Sequence, residues 1–109
     1  MANVYRNAKV DLKTTDNTTL YTSPSNSRAI IKNILISDDS GSGDSITATL
    51  TDASAAIFSL FKSKTIGANA TTELISQPII LQESEILKAQ ATTAGRLHVV
   101  VSLLEINRD

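Results

Sequence analysis

The sequence predicts an all-β fold, an antiparallel β-sandwich or jelly roll of about eight short strands. Three observations predict it. Apolar and polar residues alternate with period two through most of the chain. Turn-forming residues interrupt that alternation roughly every dozen residues. Ser and Thr make up about a quarter of the 109 residues, and β-branched Thr suits a pleated surface whose other side is buried.

The elements follow in order. Val4, Arg6, Ala8, Val10 and Leu12 alternate with Tyr5, Asn7, Lys9 and Asp11, which reads as a half-buried strand. Asp16-Asn17 marks a turn before a short strand, Thr18 to Thr22, and Pro24 with its small polar neighbours makes the next loop. Ala29 to Ser37 is rich in β-branched residues and is expected to bury Ile30, with Ile34 and Ile36 joining it through a register shift. Asp38 to Asp44 is the most polar stretch and reads as a flexible hairpin loop. Ser45 to Thr51 alternates strictly, with Ile46, Ala48 and Leu50 inward and Thr47, Thr49 and Thr51 outward.

Ala55 to Lys62 fits a helix face through Ile57, Leu60 and Phe61, or a strand face through Phe58 and Leu60; its neighbours are strands, and a strand is expected. Gly67-Ala-Asn69 is a turn, Thr72 to Ser76 centres on Leu74, and Pro78 opens the short strand Ile79 to Leu81. A turn at Glu83-Ser-Glu85 leads to Ile86 to Ala91, where Leu87, Ala89 and Ala91 share a face. Glu85, Lys88 and Gln90 make a helix the rival reading there. Ala94-Gly95 turns the chain into the last strand, Arg96 to Ile106, with Leu97, Val99, Val101 and Leu103 pointing one way.

One domain over residues 1–109 fits the length. A net charge of -1, from 10 basic and 11 acidic residues interleaved along the chain, provides no basic stripe for nucleic acid and no polybasic segment for a membrane surface. The chain has no Cys, so neither a disulfide nor a thiolate metal site is expected. No apolar run reaches signal-peptide or membrane-span length.

No residue set points to catalysis or a cofactor. His98, the single histidine, lies between Leu97 and Val99 and is expected on the face away from the core, without a nucleophile or orienting carboxylate legible in sequence. Asp38, Asp39 and Asp44 flank Gly41 and Gly43 and are the candidates for a calcium-type oxygen cluster, although their spacing is not that of a helix-loop-helix calcium site. Glu83 and Glu85 can share a face of an extended chain, but the sugar-holding aromatics that a two-carboxylate glycosidase needs are missing. Asn17 and Asn69 match the glycosylation acceptor pattern, and Gly41-Ser-Gly43 lacks the rest of a phosphate loop.

A succession of segments is more specific than composition. Phe58-Ser-Leu-Phe-Lys62 leads into Gly67-Ala-Asn-Ala-Thr-Thr-Glu-Leu74, then Pro78-Ile-Ile-Leu81, Ser84-Glu-Ile-Leu-Lys-Ala-Gln-Ala91 and Gly95-Arg-Leu-His-Val-Val-Val101, with Ile34-Leu-Ile36 and Ile46-Thr-Ala-Thr-Leu50 upstream. This order resembles small β-sandwich virion structural proteins of tailed bacteriophages, of the marine type. Ser84-Glu85 stands where those proteins usually have Gly-Asp, a change to a turn rather than to the fold. The resemblance implies a capsid decoration or cement protein, made in the host cytoplasm and carried in the virion. It also implies a homo-oligomer whose partners are the major capsid protein or other virion proteins, with no catalytic residues and no cofactor. A small neck, tail or fibre component and a receptor- or carbohydrate-binding module are the alternatives. The latter would use Tyr5, Tyr21 and the Asp38 to Asp44 loop. The N-terminal strand, with Val4, Tyr5, Arg6, Val10 and Leu12, is the expected partner-binding segment, because an edge strand must be paired or covered.

Overall fold

A computed structural model describes residues 2–107. The strands among them are β1 (Ala2–Leu12), β2 (Thr18–Thr22), β3 (Ser27–Asp38), β4 (Asp44–Thr51), β5 (Ile57–Ile66), β6 (Thr71–Glu73), β7 (Ile79–Leu81), β8 (Ile86–Ala91) and β9 (Leu97–Asn107). The described residues contain no helix, so 86–91 is strand despite its helix formers. Tertiary pairing on both sides, with β2 and with β4, overrides the local propensity.

The strands form two antiparallel sheets. One runs β1-β9-β3-β6, and the other β2-β8-β4-β5. β9 pairs along the whole of one edge of β3, so β6 and β7 share the other edge as one interrupted strand. Counted that way there are eight strands, paired first with last, second with seventh, third with sixth and fourth with fifth. That is the pairing of a jelly roll. Among the described residues, the only consecutive strands that pair across a short turn are β4 and β5. The Asp38 to Asp44 segment is therefore not a hairpin loop as its sequence suggests. It carries the chain from one sheet to the other, from β3 to β4.

The core lies between the sheets. Ile31, Ile36, Val99 and Val101 face Ile46 and Leu87 across it, all sealed from solvent. Each such side chain contributes about 1.5–3 kcal/mol of burial free energy. The chain has only two Phe and two Tyr, so aliphatic side chains fill this space.

Register in β3 departs from the sequence expectation. Ile31 pairs with Leu103, but Asn33 pairs with Ser102, so Lys32 is an extra residue facing one link of β9. Before this bulge the odd-numbered residues point inward; after it, the even-numbered ones do. Ile31 is buried and Ile30 is not, which corrects the expected burial of Ile30, while Ile34 and Ile36 are buried as expected. In β4 the inward Ile46 and Ala48 are buried and Leu50 partly so. Thr49 and Thr51, expected outward, are also covered, because β4 is an inner strand flanked by β8 and β5.

The turn joining β7 to β8 places Ser84 in the left-handed backbone region. The Glu85 N–H donates to the Gln82 carbonyl at 3.2 Å, and Ser84 sits at φ 65°. That backbone conformation costs an L-residue about 1–2 kcal/mol and costs glycine little. Ser84→Gly is therefore expected to raise stability by about 0.5–1 kcal/mol, after allowing for the looser unfolded chain. Urea titration at neutral pH reads it; an unchanged or lowered midpoint would show that the serine is not strained.

Candidate functional site

Sheet-crossing loops gather at the two ends of the sandwich. At one end lie 13–17, 39–43, 67–70 and 92–96, tied across by Gln90 Nε2 to the Thr15 carbonyl at 2.8 Å, Thr93 N–H to Asp44 Oδ2 at 2.8 Å and Arg96 Nη1 to the Gly43 carbonyl at 3.0 Å. Asp38 is the hub. One of its carboxylate oxygens accepts from the Ser40 N–H (2.9 Å) and hydroxyl (2.6 Å), the other from the N–H groups of Gly43 (2.8 Å) and Asn69 (3.0 Å). The Ser40 hydroxyl and N–H, then the backbone N–H groups of Gly43 and Asn69, hold the Asp38 carboxyl well below the usual carboxylate range. Gly43 is required here: its φ is +74°, and a Cβ would lie 3.1 Å from the Ile66 carbonyl oxygen.

This geometry bears on the calcium-type cluster. Asp38 satisfies backbone donors, Asp44 holds Thr93, and Asp39 is exposed. Among the described residues, no three carboxylates or imidazoles come together as a metal-holding group. Asp38 and Asp44 serve different backbone partners, and Asp39 points to solvent.

At the opposite end a shallow cavity of about 250 Å³ is lined by Arg28, Asp52, Gln82, Glu83 and Glu85. Glu83 and Glu85 do line one space, yet Glu85 Oε1 accepts the Gln82 N–H at 2.7 Å, closing its own turn. Asp52 Oδ1 similarly accepts from Ser54 and Ala56, both at 2.9 Å.

His98 faces outward as expected. The sheet register aligns Asp11, His98 and Ser37 in one row across β1, β9 and β3, which sequence separation hid. His98 Nε2 lies 3.3 Å from Asp11 Oδ1, but no hydrogen bond joins the ring to Ser37, and the row lies on an open sheet surface. A nucleophile needs contact with its base and donors aimed at developing charge; this row has neither.

Reading the sequence missed Glu105. It continues the inward series Leu97, Val99, Val101, Leu103 and is 4% exposed. Its carboxylate receives Arg6 Nε at 3.2 Å and the Tyr21 hydroxyl, linking β1 and β9 of one sheet to β2 of the other. Burial first, and the Glu105 hydrogen bond second, push the Tyr21 phenol well above its ordinary value and keep it a donor. The available signal was a carboxylate on the inward beat of an otherwise apolar strand.

The expected partner segment is a strand, β1, paired on one edge with β9 and open on the other. Its side chains divide. Leu12 is fully buried, Val10 packs against the core and Arg6 holds Glu105, so these three belong to the sandwich itself. Val4 is partly covered. Tyr5 alone of the five projects outward, 76% exposed.

Tyr5 belongs to a larger pattern. The register aligns Tyr5, Leu104, Ile30 and Ile80 in one row across β1, β9, β3 and β7. A second row runs Lys9, Val100, Leu35, Glu73. Ile80 is 62% exposed and Val100 36%. The outer face of the four-stranded sheet is more mixed: Thr19, Lys88, Thr49 and Ser59 make one row, and Thr22, Ile86, Thr51 and Ile57 the next, with Ile57 64% exposed. The larger apolar band lies on the five-stranded sheet, in two rows on either side of the polar row Asn7, Ser102 and Asn33.

Two outcomes are expected. Glu105→Ala and Tyr21→Phe should each cost about 1–3 kcal/mol, tempered because Arg6 is half-exposed and can turn to water. A double-mutant cycle should show coupling near 1 kcal/mol; additive effects would mean that the two groups do not support one another. For Asp38, a folded-state carboxyl below its unfolded value stabilises fully above the unfolded value and loses that effect as pH falls through the folded one. The urea-midpoint difference between wild type and Asp38→Asn should thus stay constant from neutral pH to about 4 and narrow below it. A difference that shrinks already near pH 6 contradicts this.

No known protein-family profile and no curated protein matches the chain. Solved structures do. A chain of the acid-stable capsid of Helicobacter pylori bacteriophage KHP30 superposes with TM-score 0.60 at 11% identity, covering 97% of this chain and 89% of that one. A chain of the Bacillus endospore appendages, described as disulfide-linked pili, gives 0.58 at 9% identity, with 98% and 89% covered. Infectious bursal disease virus, Gx strain, gives 0.52 at 14% identity over 96% of this chain but 29% of its own. At such identities the likeness is one of fold: this is an all-β jelly roll of the kind found in viral capsid and pilus proteins.

Proposed function

We propose that this protein is a structural component of a tailed-phage virion, a capsid decoration or cement protein that acts as a homo-oligomer. The observation that carries the reading is the apolar band on one outer sheet face of a compact jelly roll. A surface of this kind works by being covered. The phage capsid chain it matches is covered over 89% of its length and is thus of comparable size, as suits an accessory subunit. Contacts with the major capsid protein, repeated over a lattice, would supply avidity that one small interface lacks. The reading needs no catalysis, no cofactor, no nucleic acid and no membrane, and it places the protein in the virion after synthesis in the host cytoplasm.

A second reading is a fibre or tail subunit. It is favoured by the long open edge of β1 and by the likeness to a pilus chain. The carbohydrate-binding alternative has less support, because Tyr21 is committed to Glu105 and Asp38 to its own loop.

Density-gradient-purified particles, probed by mass spectrometry and by immunogold labelling, test the proposal. Label spread over heads, at many copies per particle, is the expected result. Label confined to tails or fibres selects the second reading, and absence from purified particles overturns both.

A further inference from the structure

We infer that a second copy of this chain covers the outer face of the five-stranded sheet, related by a two-fold axis lying in that interface, parallel to the strands and between β9 and β3. This deepens the reading of a self-associating virion component and takes its biological setting from it.

The argument starts from the order β1, β9, β3, β6/β7 across this face. Such an axis exchanges β9 with β3 and β1 with β6/β7, and it leaves each cross-strand row opposite itself. In the first row Tyr5 of one copy then meets Ile80 of the other, and Leu104 meets Ile30. In the second, Val100 meets Leu35 and Lys9 meets Glu73. In these two rows apolar residues fall on apolar residues, and the single cation of the second falls on its single anion; the row between them, Asn7, Ser102 and Asn33 beside Lys32, is polar and sets Ser102 against Asn33. Lys9 and Glu73 are both exposed at opposite margins of the face, where their charges lie on the polar rim of the contact. Contact by the same patch on both copies is the usual form of a homodimer.

The other in-plane axis, running across the strands, is disfavoured by the same rows. It would set Tyr5 against Lys9 and Ile80 against Glu73, leaving each charge on an apolar side chain with no counter-charge. The outer face of the four-stranded sheet has one such row, Thr22, Ile86, Thr51 and Ile57, against two here, and its apolar residues alternate with Thr; it is left to solvent or to other contacts. The size is also adequate. Four strands about 4.8 Å apart and nine residues of β9 at about 3.4 Å each give roughly 500–600 Å² per copy, so the pair passes the roughly 1,000 Å² of a specific interface. Twisted sheets packed face to face lie about 30° apart, which keeps central rows in contact and leaves the flexible Lys9 and Glu73 to reach at the margins.

Sedimentation equilibrium of the purified full chain tests this. The wild type is expected to be a dimer, and Ile80→Lys or Val100→Lys, both at solvent-facing positions, should yield folded monomers with an unchanged circular-dichroism spectrum. Lys9→Glu and Glu73→Lys should each weaken the dimer about tenfold, since each swap acts twice in a symmetric pair. Mixing the two swapped proteins should restore association, because both contacts in the mixed pair are again opposite in charge. A monomeric wild type up to about 1 mM, a dimer indifferent to Ile80→Lys, or swapped chains that fail to rescue one another would each overturn the inference. The virion reading fails separately, by absence of the chain from particles whatever its state in solution.

Discussion

The pairing of β3 with β9 governs the rest of this structure. It runs the length of both strands and shifts by one residue at Lys32. Because side chains alternate faces along a strand, that one residue exchanges the inner and outer sets for the second half of β3. Without it Ile34 and Ile36 would face solvent, and Asn33 and Ser37 would enter the core. With it, Ile31, Ile34 and Ile36 all reach the core, while Ile30 and Leu35 come to lie on the outer face beside Leu104 and Val100. The burial of Ile34 and Ile36 and the outward position of Leu35 are therefore two consequences of one bulge.

Around that pair, polar ties fix a chain path that changes sheet at nearly every loop. A jelly roll has few local pairings to hold it, and among the described residues only β4 and β5 pair as sequence neighbours across a short turn. Its loops must be held by side chains instead. Asp38 binds its own loop to the 67–70 loop, and Glu105 joins both sheets through Arg6 and Tyr21. The two acids differ in what sustains them. Asp38 is served by backbone donors at a loop hub, so its ionised form is favoured outright. Glu105, buried to a similar degree, depends on a half-exposed guanidinium and a phenol. The aliphatic core provides most of the favourable free energy, and these ties choose which of several sheet pairings that core adopts.

Much of this was legible in the sequence. Thr18 to Thr22 and Ile79 to Leu81 were delimited as they occur, because turn residues bracket them on both sides. The inward series in the last strand was legible because nothing interrupts its period. The bulge at Lys32 was not fully placed. The β-branched run allowed for a register shift, but whether Ile30 or Ile31 is inward depends on where the extra residue sits, and pattern alone allows either. The role of Asp38 was hidden for a different reason: its partner Asn69 is distant in sequence and donates through its backbone, which any residue type can do. Glu105 and the Asp11–His98–Ser37 row likewise arise only from register across strands far apart in the chain.

The outer band was available in principle. Val99-Val100-Val101 and Leu103-Leu104 place apolar residues on both faces of β9, a pattern that an antiparallel strand with one wet face does not need. The opposing sheet meets the same β-forming requirement largely with Thr at 19, 22, 49 and 51, which is β-branched yet tolerates water, beside Ile86 and Ile57. Strand propensity thus does not explain Leu104, Ile30 and Ile80, since Thr would have supplied it at those positions too. What distinguishes them is the loss of contact with water, and the chain by itself leaves Ile80 and Tyr5 largely in water. In the proposed assembly a second subunit supplies the missing cover, and those exposed side chains, together with the fold, are what support that proposal.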